Sequence, residues 1–188
     1  MSITLTSITT LVRYLINDTV KTMSPGDIII YDTSSVFTLT ESNAISVSAV
    51  YKNDVELESG TYSYDSDTQK LTVSASLTSG DTIEIRYTYY PNYSDTEIQN
   101  YIQAAIIHLS VNNFYNYTIS DSKIFPDPTP SEQRLIAIVT ALLIEPDNKT
   151  YRLPDLTINV PRDLPLHDKI RKVIMRHKQN SHGTFDIL

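Results

Sequence analysis

Cysteine and tryptophan are absent from these 188 residues, and glycine occurs only four times. Without cysteine there are no disulfides, no thiolate metal sites and no cysteine nucleophile, which suits folding in a reducing compartment. Gly26, Gly60, Gly80 and Gly183 fall in no GxGxxG or P-loop pattern, so no loop is built to cradle a phosphate. Long hydrophobic runs are missing as well. The longest apolar-rich stretch, Leu135 to Ile144, is too short to span a bilayer, and the first residues lack the basic-then-apolar order of a secretory signal. The expectation is a soluble protein made in the cytoplasm, with no membrane partner.

What is present is a lean apolar set and an acidic balance. Apolar residues make up 40% of the chain, but that count includes 13 Tyr. With Tyr set aside and Gly counted, the fraction is about 36%, against about 45–50% for ordinary globular chains. A chain of this length still buries enough surface for one domain or two small ones. Fifteen Lys and Arg against 22 Asp and Glu give a net charge of −7, so the chain as a whole repels polyanions.

The texture changes twice. Ile8, Leu11, Val12, Leu15 and Ile16 recur at helical spacing behind a cap at Thr6 or Ser7, and Ser24-Pro25-Gly26-Asp27 marks a turn. From Asp27 to Tyr90, short alternating runs are separated by turns every 8–12 residues, the pattern of a small antiparallel sandwich or barrel. After Pro91 the helical period returns. Ser94 with Glu97 opens a helix carrying Ile98, Tyr101, Ile102, Ala105, Ile106 and Leu109. Thr129-Pro130 with Glu132 opens another, apolar on nearly all sides from Leu135 to Leu143. A Pro-punctuated segment with a strand near Leu156 to Val160 leads to a last helix over about 164–178, striped by Leu166, Ile170, Val173 and Ile174. The fold class expected is α+β: a small helical bundle core of residues 1–26 and 92–178, an inserted antiparallel β-sandwich or barrel module over 27–91, and a C-terminal arm, 179–188. The insertion follows because two or three turns of N-terminal helix need something to pack on.

Catalytic signatures are lacking. His108 lies near an apolar stripe, where a histidine satisfied within the fold is the ordinary case. His177 and His182 are five apart without a Glu in zincin spacing. Asp65-Ser66-Asp67-Thr68 opens like a calcium loop but lacks its later Gly and Glu, so a turn using Asp for local hydrogen bonds fits better. No GxSxG elbow occurs. No catalytic, cofactor-binding or metal-binding residue is nominated, and the chain reads as a non-enzyme without a cofactor.

Two features remain. Tyr51, Tyr62, Tyr64, Tyr87, Tyr89 and Tyr90, with Tyr93 just beyond, form either a stacking platform for sugar or single-stranded nucleic acid or simply good strand residues with polar tips. The second feature is charge. Arg162, Lys169, Arg171, Lys172, Arg176 and Lys178 against Asp163 and Asp168 give a local +4, so the remainder sums to −11. This is either a solvated helix face or a basic surface meeting an acidic neighbour, whether another copy of the chain or a nucleic-acid backbone. The tail closes on Phe185, Ile187 and Leu188, apolar residues without a core of their own in sequence, which a partner groove or disorder would explain.

Two stretches carry a resemblance. Val50-Tyr51-Lys52-Asn53, Leu57-Glu58-Ser59-Gly60-Thr61-Tyr62, Leu71-Thr72-Val73 and Leu77 to Tyr87, with its Gly80-Asp81 turn and Arg86-Tyr87 end, resemble β modules of tailed-phage structural proteins. The helical remainder, opening with Ser94-Asp95-Thr96-Glu97-Ile98, is similar to the head–tail connector (neck adaptor) family of tailed bacteriophages. The resemblance implies a structural protein of the virion neck, made in the host cytoplasm. Its copies would form a ring, usually of twelve, docked under the portal protein and against a tail or neck completion protein. Genomic DNA would pass through the lumen without sequence-specific contact, and an acidic lumen would let it slide. The family also implies a C-terminal segment reaching a neighbouring layer, for which the basic residues above with Phe185, Ile187 and Leu188 are the candidates. The alternative expectation is a tail or baseplate binding module whose Tyr-rich sheet recognises a glycan or protein receptor.

Overall fold

The computed structural model describes residues 4–147, 150–153, 156–159 and 163–181. The chain divides into two compact units, 1–18 with 95–188, and 19–94. In chain order, α1 (Leu5–Leu15) precedes seven strands: β1 (Lys21–Ile30), β2 (Val36–Thr38), β3 (Ala44–Lys52), β4 (Val55–Glu56), β5 (Tyr62–Asp65), β6 (Lys70–Val73) and β7 (Thr82–Tyr89). There follow α2 (Asp95–Val111), β8 (Thr118–Ser120), β9 (Lys123–Phe125), α3 (Pro130–Ile144), β10 (Thr150–Leu153), β11 (Leu156–Asn159) and α4 (Leu166–Ser181).

In the helical unit, α3 packs against α1, α2 and α4. That position matches its composition: every residue from Leu135 to Leu142 is buried. Its start is fixed by a capping box. The Thr129 N–H donates to Glu132 Oε2 at 2.7 Å, while the Thr129 hydroxyl accepts from the Glu132 N–H at 3.4 Å. Ile8 and Val12 of α1, Ile98, Ile102 and Leu109 of α2, and Ile170 and Ile174 of α4 complete the core. Each such side chain contributes about 1.5–3 kcal/mol by leaving water. The hairpin of β8 and β9 turns on Asp121 and Ser122, both at positive φ, and the Ser122 carbonyl accepts from the Leu5 N–H at the start of α1. β10 and β11 form a second antiparallel hairpin.

Arg13, buried on α1, reaches Asp18 Oδ2 at 2.5 Å and Asp95 Oδ1 at 2.7 Å. Those carboxylates stand where the chain leaves this unit and where it returns.

The unit over 19–94 holds a four-stranded antiparallel sheet, ordered β1-β7-β3-β4, and a three-stranded one, ordered β2-β6-β5. Phe37, Leu39, Val50, Leu71, Val73, Ile83, Ile85 and Tyr87 form its buried cluster. The turn expected at Ser24 to Asp27 is instead an irregularity within β1, where the register with β7 shifts between Met23 and Asp27. Gly26 permits it: a Cβ there would lie 2.1 Å from the Ile85 carbonyl oxygen.

The expected helical bundle with an inserted sandwich or barrel is corrected by this arrangement. Among the described residues the fold is mixed α+β, four helices with small antiparallel sheets, none closed into a barrel or sandwich. The reason is strand length. β2, β5 and β6 have three or four residues each, and β4 only two, so they cannot line a second full face or complete a ring of hydrogen bonds. β1 and β4 are left as open edges of the larger sheet.

Candidate functional site

α4 carries the charge singled out in the sequence, and the structure divides it into two groups. Lys169 is buried, and its Nζ donates to the Pro146 carbonyl just past the end of α3. Lys178 Nζ donates to the Asn113 carbonyl at 3.1 Å and the Asn112 carbonyl at 3.4 Å, just past the end of α2. It also lies 5.9 Å from the Phe114 ring centre. Both ammonium groups therefore sit where the C-terminal ends of other helices concentrate negative potential. They anchor α4 within its own unit.

Arg171, Lys172 and Arg176 are exposed on the same helix, with Met175, 48% exposed, among them. The buried stripe of Ile170, Val173 and Ile174 turns these residues outward. Beside them runs an open groove of about 620 Å³, whose wall includes Asn159, Leu164, Asp168 and Val173. A second hollow of about 250 Å³ lies between α4 and the end of α2, against Val111, Asn112, Asn113 and His167. Arg171 and Met175 line both, so they form a ridge between two hollows. The ridge mixes cations with uncovered apolar surface, Val111 being 71% exposed. Arg162, Phe185, Ile187 and Leu188 lie outside the described residues, as does the arm from residue 182.

The β unit has the opposite character. Between residues 19 and 94, ten acidic residues face four basic ones, a net −6. Ile28, Glu84, Tyr51 and Glu56 form one row across β1, β7, β3 and β4, on the face of the larger sheet turned away from its core. Ile28 is 65% and Ile30 71% exposed. The Arg86 guanidinium stacks 4.4 Å over the Tyr51 ring, and its Nε donates to Glu84 Oε1 at 2.7 Å. That bond, with one from the Gly26 N–H, holds the Glu84 carboxyl below its usual range and keeps it charged.

The tyrosines of this unit point inward or are engaged within it. Tyr87 is fully buried; its hydroxyl donates to Asp27 Oδ2 at 3.0 Å and accepts from the Glu41 N–H at 3.2 Å. Burial pushes it up to about 12. The Tyr64 hydroxyl donates to the Ala44 carbonyl at 2.9 Å, and Tyr62, Tyr89 and Tyr90 are half-buried. Asp65 makes the expected local turn, accepting from the Asp67 N–H at 2.9 Å and the Thr68 hydroxyl at 2.8 Å. His177 packs edge-on to Phe114 at 5.3 Å, and burial holds its imidazole below the usual value. Among the described residues no three His, Asp or Glu side chains gather as a metal site, and no helix is long and apolar enough to cross a membrane.

The exposed isoleucines were not singled out in the sequence, although a signal was there. Ile28-Ile29-Ile30 cannot all face inward in a strand whose side chains alternate. No protein-family model matches this chain, and no curated protein matches it.

Proposed function

We propose that this chain is a structural, non-catalytic virion protein, a ring-forming head–tail connector of a tailed bacteriophage that lies between portal and tail and lets DNA pass through its lumen. One observation carries the reading: a single copy exposes two oppositely charged surfaces, each with uncovered aliphatic or thioether groups. These are the cationic ridge of α4 and the outer face of the larger sheet, which bears Glu84 and Glu56 beside Arg86, in a unit of net −6. Surfaces of this kind gain free energy when covered, and a lean core makes subunit contact a natural source of stability. The sequence resemblance supplies the identity of the assembly, with portal protein and a tail or neck completion protein as its neighbours. A net charge of −7 suits passage of DNA without retention.

The receptor-binding alternative would need aromatic faces open to a ligand, and the β unit offers no exposed tyrosine among its described residues. The test is mass photometry of the purified chain, alone and with portal protein. Closed rings near twelve copies are expected; monomer alone at all concentrations, with portal present, refutes the reading.

A further inference from the structure

Assuming that the chain assembles with itself, we infer that the α4 ridge of one copy seats on the outer face of the four-stranded sheet of the next. Arg171, Lys172 and Arg176 meet Glu84 and Glu56, while Met175 meets Ile28 and Ile30. The charges favour this occupant. The ridge exposes Arg171, Lys172 and Arg176, while the outer face of the sheet carries Glu84 and Glu56 beside Arg86, in a unit of net −6. The apolar groups favour it too. A phosphate backbone has no use for an exposed methionine between arginines, whereas the aliphatic stems of Arg and Lys pack well on isoleucine while their heads reach carboxylates. The sheet also needs cover. On that face Ile28 and Ile30 of β1 leave their aliphatic side chains 65% and 71% exposed, surface that gains by being covered. Finally, Glu84 is already fixed by Arg86 and the Gly26 N–H, so little side-chain freedom is lost when a second guanidinium approaches it.

The two surfaces differ, so the contact is head-to-tail rather than two-fold. Each added copy presents a fresh ridge and a fresh sheet, and the series ends only by closing on itself.

Two full-length variants test the pairing. Arg171→Glu/Arg176→Glu makes the ridge acidic, and Ile28→Lys/Glu56→Lys makes the sheet face basic; all four positions are exposed. Circular dichroism and thermal melting establish that both variants fold. In sedimentation velocity, each variant alone is expected to dissociate at least about a hundredfold more readily than the wild type, because like charges then face each other. Mixed in equal amounts they restore assembly, since acidic ridge meets basic sheet and basic ridge meets acidic sheet.

Variants that assemble like the wild type overturn this contact and leave the ring reading intact. Variants that are monomeric both alone and mixed overturn it as well, since the two surfaces would then matter without meeting. A wild type that stays monomeric overturns both readings. A monomer that binds DNA through Arg171 and Arg176 replaces the self-contact with a nucleic-acid one.

Discussion

Replacing Arg13 with methionine probes how the helical unit holds its shape where the chain departs and returns. The side chain is buried, and its guanidinium lies 2.5 Å from Asp18, itself fully buried, and 2.7 Å from the exposed Asp95. Methionine keeps much of the volume but removes the cation, leaving the Asp18 carboxylate in a low-dielectric site without its guanidinium. Breaking such a buried pair from one side costs about 3–5 kcal/mol. Asp95→Ala should cost at most about 1 kcal/mol, because a solvated carboxylate gives up little when it loses its partner. Arg13→Met/Asp18→Leu removes both charges and should recover at least about 2 kcal/mol of the single loss. The assay is urea unfolding followed by far-ultraviolet ellipticity, which reports the helices, with equal slopes showing that stability rather than compactness changed. If Arg13→Met loses less than about 1 kcal/mol, or the double variant is no better than the single, the pair is not the restraint described.

Two further outcomes follow from particular contacts. Gly26→Ala places a methyl group against the Ile85 carbonyl, 2.1 Å away, and should cost the β unit about 3 kcal/mol or more in thermal or urea melts; a melt like that of the wild type refutes the close approach of β1 and β7. His177, held below its usual 6.5 by burial, is protonated first in the unfolded chain. Its contribution is therefore whole above about pH 6.5 and declines as the pH falls below that value toward the folded one. The urea midpoint should drop across this window in the wild type and drop less in His177→Phe; identical profiles refute the assignment.

α3 was legible because three signals agree: Thr129-Pro130 with Glu132 at its start, apolar residues on every side, and Pro146 beyond its end. Most positions turned inward on α2 and α4 also followed from spacing, but Tyr101 of the expected stripe is 37% exposed and Leu166 only half-buried. The hairpin of β8 and β9 did not, since three-residue strands are too short to show a period and its turn uses Asp121 and Ser122 rather than glycine. Alternation in the β unit indicated strands, but not which apolar residues face the core, since Val36 and Ile45 are exposed; nor did it give the number of strands, and the sheets stay open where closure was expected. The basic segment was readable as charge alone. Whether a lysine faces solvent or the carbonyls at another helix's end is a long-range property, and Lys169 and Lys178 prove to be of the second kind. The tyrosine cluster shows the same limit, because a strand residue with a polar tip serves a core and a ligand platform equally well until its hydroxyl partners are known.

The placement of seven strands between α1 and its docking partners has a consequence for synthesis. About 130 residues separate the last turn of α1 from the end of α3. At about 5–20 residues per second, the nascent chain carries an undocked amphipathic helix for roughly 6 to 26 seconds on the ribosome. The β unit is fully made well before that wait ends. Its strands can pair while α1 is still idle, so that by the time α3 emerges the long intervening loop is already a folded body, and the entropy of closing it has largely been settled. The first helix made thus waits for partners that come much later in the chain.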